Sequence, residues 1–205
     1  MSATRRIGVL ISGRGSNLAA LIAAQQQGRL GGEIVVVASN VAGAAGLQRA
    51  REAGIRAEAC EARGRARAEH EAELTHILKS ENVDLVCLAG FMRRLTPTFV
   101  QAWAGRLLNV HPSLLPAFPG LNAQRGAWEH GVKISGATVH LVDERLDEGA
   151  IVAQEAVPVL ESDGPDELAA RILQAEHRIY PEAVRRICQE GFSLVGRRVV
   201  LGGTS

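Results

Sequence analysis

The chain has 205 residues, 46% of them hydrophobic and 22% charged, with 23 Lys and Arg against 22 Asp and Glu. That balance, a net charge of +1, excludes a disordered chain; with only 3% aromatic residues it also excludes a basic, base-stacking surface for nucleic acid. Length and composition suit one core, large enough to bury roughly 70% of the unfolded chain's surface without a disulfide or metal staple.

Taken in order, residues 7–11 read as a strand, and the helix expected at 18–27 follows a polar turn. Runs at 33–39 and 55–60 read as strands around a helix at 45–53. A helical pattern over 65–80 precedes a buried strand at 83–89, and a short helix at 97–102 precedes a strand at 107–111. Continuous Val, Ile and Leu runs separated by helices predict a parallel sheet covered on both faces. After residue 111 the rhythm changes. Residues 134–142 and 151–159 read as long strands with no helix between them, an antiparallel pair. A helical stretch over 166–189 contains Pro181, which is expected to kink or break it, and 195–201 reads as a short hairpin or tail. The expected fold is a single doubly wound, mostly parallel α/β sheet with helices on both faces and an antiparallel C-terminal extension.

Cys60, Cys87 and Cys188 are odd in number and widely spaced, so neither a disulfide framework nor a zinc site is expected. The first apolar run is too short for a signal peptide, and no window approaches the roughly 18 apolar residues of a membrane span. A cytoplasmic protein is the expectation.

The first strand ends in Ser12-Gly13-Arg14-Gly15-Ser16-Asn17. Glycines there let the backbone approach an anion at a helix N-terminus, and Ser16 or Asn17 can cap the helix or donate to phosphate. Leu18 replaces the third glycine of a dinucleotide fingerprint, and Ser39-Asn40 ends the second strand where an acid would hold a ribose. The loop therefore favours a phosphate monoester, with an ordinary capped turn as the alternative.

In Leu107-Leu108-Asn109-Val110-His111-Pro112, Asn109 and His111 stand two apart and share one face of a strand. At the carboxyl end of a central parallel strand, an amide and an imidazole suit a developing oxyanion; a satisfied structural histidine is the alternative. A carboxylate near His111 would favour its imidazolium, and the acids at 143–148 include a candidate. For Asp143, Glu144 and Glu148 a solvated turn is the simpler reading. His140 reads as core or as support behind the site.

The segments Ile11-Ser12-Gly13-Arg14-Gly15-Ser16-Asn17, Gly90-Phe91-Met92-Arg93, Asn109-Val110-His111-Pro112-Ser113-Leu114-Leu115-Pro116 and Leu146-Asp147-Glu148-Gly149 occur in this order. Together they resemble the phosphoribosylglycinamide formyltransferase family, folate-dependent enzymes of purine synthesis, over about 5–190. The third segment is shared with other formyl-folate enzymes; the first points to a phosphate-bearing substrate. The resemblance implies a catalytic trio of Asn109, His111 and Asp147. It also implies that Gly15, Ser16 and Asn17 bind the phosphate of glycinamide ribonucleotide and Glu176 its ribose. Met92, Arg93, Arg94 and Leu95, with Asn109, would face 10-formyltetrahydrofolate, the co-substrate. Arg94 stands where an aliphatic residue is commoner and would act mainly through its backbone. Arg67 would be the folate-side arginine, with Arg63 and Arg65 open alternatives.

The implied domain covers 1–205, with a phosphate-binding half at about 1–105 and a folate and catalytic half at about 106–205. The implied reaction moves a formyl group to the glycyl amine, without metal, nucleic acid or membrane, in a monomer or homodimer. A formyltetrahydrofolate hydrolase and a noncatalytic folate or nucleotide module are the alternatives. The first would carry a regulatory domain for which the sequence has no room before Ile7, and the second would be expected to lack one of the trio.

Overall fold

The computed structural model describes residues 4–202. Strands β1 (Arg5–Ile11), β2 (Gly32–Ser39), β3 (Arg56–Ala59) and β4 (Leu85–Leu88) alternate with helices α1 (Ser16–Gln26), α2 (Ala45–Glu52) and α3 (Arg67–Ser80). Helix α4 (Pro97–Ala102) leads into β5 (Leu107–His111), and α5 (Ala123–Glu129) into the long strands β6 (Ile134–Leu141) and β7 (Ile151–Pro158). Helix α6 (Pro165–Glu190) is followed by the hairpin β8 (Phe192–Val195) and β9 (Arg198–Leu201).

All strands join one nine-stranded sheet in the order β3-β2-β1-β4-β5-β6-β7-β9-β8. Pairing is parallel from β3 across to β5 and antiparallel from β5 through β6 to β7. The chain steps outward from β1 to β3, then returns to lay β4 on the other side of β1. Between β1 and β4 the winding therefore reverses, which is where open α/β sheets leave a crevice for ligands.

Strand alternation sorts the core. Ile7, Val9 and Ile11 face the layer containing Leu18, Leu47 and Tyr180, whereas Leu10 faces the layer containing Leu74, Phe99 and Trp103. Cys87 joins the first layer, Val86 and Leu88 the second. Buried on both faces, these strands need apolar residues at every position, and each large side chain contributes about 1.5–3 kcal/mol.

One expectation is overturned. Helix α6 runs unbroken through Pro181. Proline removes one backbone donor, but Pro181 itself is buried, and Tyr180, Ala183, Val184 and Ile187 seat the adjoining turns on the sheet. Burial outweighs the lost bond. The expected tail is a hairpin that begins at Phe192 and whose β9 pairs with β7 through Ile151 and Arg198. No described helix is long and apolar enough to cross a membrane.

Tyr180 also spans the sheet. Its fully buried hydroxyl lies 2.9 Å from the Leu88 carbonyl and 3.2 Å from that of Leu108, sharing its proton between β4 and β5. Tyr180→Phe leaves these carbonyls without that donor. It should lower unfolding free energy by about 1–3 kcal/mol, read as an earlier urea midpoint with unchanged slope.

Candidate active site

Strand β5 stands where the parallel part of the sheet meets the antiparallel part. Its register with β6 sets Asn109 opposite His140 and His111 opposite Thr138. Opposed residues share a face, so backbone pairing alone gathers these four side chains. The Thr138 hydroxyl donates to the Ser113 carbonyl at 2.7 Å and accepts from the Leu115 N–H at 3.0 Å, fixing the chain just after His111. Gln154 donates to the Leu115 carbonyl at 2.9 Å, and the Leu115–Pro116 peptide is cis.

His140 Nδ1 faces the Leu141 carbonyl at 2.9 Å and so must donate. Burial holds this ring below the ordinary histidine range, leaving it neutral with an Nε2 lone pair. That lone pair accepts from Asn109 Nδ2 at 3.2 Å and sets the orientation of the amide. Asp147 Oδ1 lies 3.8 Å from the same nitrogen, but a neutral ring makes no ion pair with it.

His111 is 4% exposed. Its Nε2 donates to the Phe118 carbonyl at 2.9 Å, and its Nδ1 lies 3.5 Å from Asp147 Oδ2. Both neighbours are acceptors, so a ring protonated on both nitrogens satisfies each. Asp147 adopts a left-handed backbone (φ 53°) and accepts the Gly120 N–H at 2.8 Å, pinning 118–120 over the imidazole. Beyond it the loop turns so tightly that a Cβ on Gly149 would stand 1.7 Å from the Leu141 carbonyl oxygen. Asp143, Glu144 and Glu148 are exposed and occupied by the Arg145 N–H, Gln101 and Arg145, the solvated turn expected of them. The structure thus brings Asn109, His111 and Asp147 together around His140.

At the first loop, α1 starts at Ser16 on a left-handed Gly15 (φ 71°), with no side-chain cap and no acid in its first turn. Of the two roles open to Ser16 and Asn17, capping falls away, since neither side chain caps the helix. Asn17 Nδ2 instead donates to Glu176 Oε2 at 2.6 Å, because α6 packs beside α1 and offers a buried carboxylate. Burial pushes the Glu176 carboxyl up to about 6, against the opposing pull of that bond. Asn17 Oδ1 is buried without a partner among the described residues. Glycine at 15 is required twice, by its left-handed backbone and by packing, since a Cβ there would lie 2.8 Å from Gly46 Cα.

In the 92–95 segment, Met92 is 70% exposed and Arg94 also faces solvent. The Arg93 guanidinium turns inward and donates to the carbonyls of Ala62 at 2.9 Å and Arg65 at 3.2 Å, while its Nε is buried without a partner among the described residues. After Leu95 the buried carboxylate of Glu71 accepts the Thr96 N–H at 2.9 Å and also the Thr96 hydroxyl. Of the three candidate arginines, Arg65 is engaged with Glu69 and Glu73. Arg63 and Arg67 are exposed and, among the described residues, unpaired.

Sequence reasoning passed over Thr138, Gln154 and Glu71. Thr138 and His140 show period two on β6, but only the register with β5 reveals what they face. Clefts of about 320 Å³ lie elsewhere, one among Arg5, Asp84, Arg106 and Cys188, another among Val100, Leu141, Glu144 and Leu194. Neither of these clefts is lined by His111.

Residues 5–184 match the protein family described as formyl transferase. The chain is 50% identical over 198 residues to the trifunctional purine biosynthetic protein adenosine-3 of Drosophila melanogaster, covering 95% of this chain but 15% of that protein. It is 47% identical over 174 residues to the phosphoribosylglycinamide formyltransferase of Escherichia coli (strain K12), covering 84% of this chain and 82% of the relative. The crystal structure of glycinamide ribonucleotide transformylase 1 from Symbiobacterium toebii superposes with a TM-score of 0.95 at 50% identity, covering 98% of this chain and 95% of that one. That agreement extends over the parallel sheet and its antiparallel strands alike.

Glu176 gives the site a pH signature. Its folded value of about 6 lies above the ordinary 4.5, so between these values the folded chain holds a proton that the unfolded chain releases. Stability should therefore fall as pH rises from about 4.5 and level off above about 6, by about 2 kcal/mol in all. Glu176→Gln should abolish this component, as read by urea unfolding across that range. An unchanged slope would show that Glu176 ionises as freely folded as unfolded.

Proposed function

The chain belongs to the formyl transferase family, and we propose that it carries the formyl group of 10-formyltetrahydrofolate to the amine of glycinamide ribonucleotide. The products would be formylglycinamide ribonucleotide and tetrahydrofolate, in purine synthesis in the cytoplasm. The observation that carries this reading is the meeting of Asn109, His111 and Asp147 at the carboxyl end of β5. The uncapped start of α1 opens from the same end of the sheet.

The glycyl amine attacks the formyl carbon, and negative charge gathers on the formyl oxygen. One N–H of Asn109 is held by His140, and the other is free to donate to that oxygen. His111 Nε2 supplies a second donor once the oxygen replaces the Phe118 carbonyl, which requires 118–120 to shift. Asp147 offsets the charge of the imidazolium and orients the water that takes the amine proton and passes it to N10 of the folate. The formyl C–N10 bond then breaks, the oxyanion collapses to the new amide carbonyl and tetrahydrofolate leaves. No bond to the enzyme is formed.

For the ribonucleotide, Gly15, Ser16 and Asn17 present free helix N–H groups to the phosphate. Glu176 accepts from ribose hydroxyls, and Asn17 Oδ1 has an acceptor position still unused. Backbone groups at 92–95 meet the pterin, and exposed Arg67 meets the acidic tail of the folate, with Arg63 its rival. The proposed division keeps a phosphate-binding half at about 1–105 and a folate and catalytic half at about 106–205, with 92–95 of the first also meeting the folate and Glu176 of the second the ribose. The two substrates are the partners, with neither nucleic acid nor membrane, in a monomer or homodimer.

Purified protein given both substrates should release tetrahydrofolate only when the amine is present. Release with water alone would identify a hydrolase, and binding of both without release a noncatalytic module. Inorganic phosphate should compete with the ribonucleotide and not with the folate. Asp147→Asn, which tolerates the left-handed backbone, should lower kcat by about 10²-fold or more without unfolding the loop. Combined with His111→Ala it should cost far less than the product of the single losses, because the two act as one unit. Multiplicative losses would separate them.

A further inference from the structure

We propose that Ser12 is a positioning residue for folate: aimed by Asn40, its hydroxyl fixes the start of the 92–95 segment against the end of β1. This rests on the substrate reading above.

Ser12 is the first residue beyond β1, at the point where β1 and β4 separate and the winding of the sheet reverses. Its N–H donates to the Gly90 carbonyl at 3.1 Å. Its hydroxyl donates to Asn40 Oδ1 at 2.6 Å and accepts the Met92 N–H at 2.7 Å. A serine hydroxyl has one proton and two lone pairs. Committing the proton to Asn40 turns a lone pair toward Met92. Asn40 stands where a dinucleotide-binding sheet would hold an acid for ribose, yet here its side chain is spent inward on Ser12.

The contacts close into a ring. The Asn40 carbonyl accepts the Ala62 N–H at 3.2 Å, and the Ala62 carbonyl accepts Arg93 Nη1 at 2.9 Å, one residue after Met92. The turns following β1, β2, β3 and β4 are thereby stitched along one edge. Within the 92–95 segment Met92 and Arg94 face solvent while Leu95 packs on the core, so the start of the segment is held by hydrogen bonds and its end by Leu95 and Glu71. None of these atoms touches the catalytic trio. Loss of the Ser12 hydroxyl should therefore weaken folate binding and spare the chemical step.

The test uses Ser12→Ala, Ser12→Thr and Asn40→Ala in the full chain, with both substrates varied. Ser12→Ala should raise the KM for formyl-folate about 5- to 20-fold, the worth of leaving one backbone N–H unpaired, and move kcat and the ribonucleotide KM by less than about threefold. Ser12→Thr, which keeps the hydroxyl, should restore the folate KM. Asn40→Ala should shift it the same way, and the double variant should be no worse than Ser12→Ala, since Asn40 acts through that hydroxyl. An unchanged folate KM, a matching loss in all three constants, or failure of the threonine rescue would overturn the proposal. Amide hydrogen exchange reads the link independently of turnover: the Met92 N–H should exchange about 5- to 20-fold faster in both Ser12→Ala and Asn40→Ala. Faster exchange without any transfer by the wild type would sink the substrate reading and leave the link standing. Unchanged exchange would sink the link whatever the activity, and Asn40→Ala decides the matter should Ser12→Ala not fold.

Discussion

The reversal of strand direction between β5 and β6 is the constraint on which the candidate site depends. A parallel neighbour would bring a helix after it and leave the end of β5 bordered by another strand's carboxyl end. An antiparallel neighbour instead runs back past Asn109 and His111, delivering a side chain opposite each. Opposed Cβ atoms in such a pair lie about 4.5–5.5 Å apart, close enough for an imidazole to meet an amide directly. The pairing of Asn109 with His140 is therefore a property of backbone register. Two consequences follow from His140 being buried. It stays neutral, and a neutral ring whose Nδ1 donates to the Leu141 carbonyl has only an acceptor left for Asn109. Charge on that ring would turn the acceptor into a donor and release the amide.

Much of this was legible in the sequence, for identifiable reasons. Period two put Asn109 and His111 on one face, and the fully apolar runs at β1 and β4 marked strands buried on both sides. The antiparallel pair showed itself as two long strand patterns with no helix between. What escaped was set by tertiary partners far along the chain. Asn17 reads locally as a cap, but its partner Glu176 lies 159 residues away and becomes a neighbour only when α6 docks beside α1. Pro181 reads locally as a breaker, and the burial of its neighbours overrides it. Arg93 belongs to a segment with a family likeness, yet its guanidinium is committed to two backbone carbonyls. Local rules describe what a residue can do. Packing decides which of those options is exercised.

The backbone around His111 adds a last element. The described non-glycine residues with positive φ are Asn82, Phe118, Asn122 and Asp147, and all but Asn82 belong to the two loops that meet over the imidazole. Such conformations cost of order 1–3 kcal/mol each and persist only where surrounding contacts over-determine them. Here the contacts are Gly120 to Asp147, His111 and Ser113 to the Phe118 carbonyl, and the Phe118 ring packed on the apolar cluster around Ala127 and edge-on to His130. Under the proposed reaction, a substrate oxygen that takes the N–H of His111 removes one of those contacts. The loop then keeps its unfavourable backbone with less to hold it in place. Under that reaction, displacement of 118–120 is coupled to occupation of His111 through the one hydrogen bond between the ring and the Phe118 carbonyl.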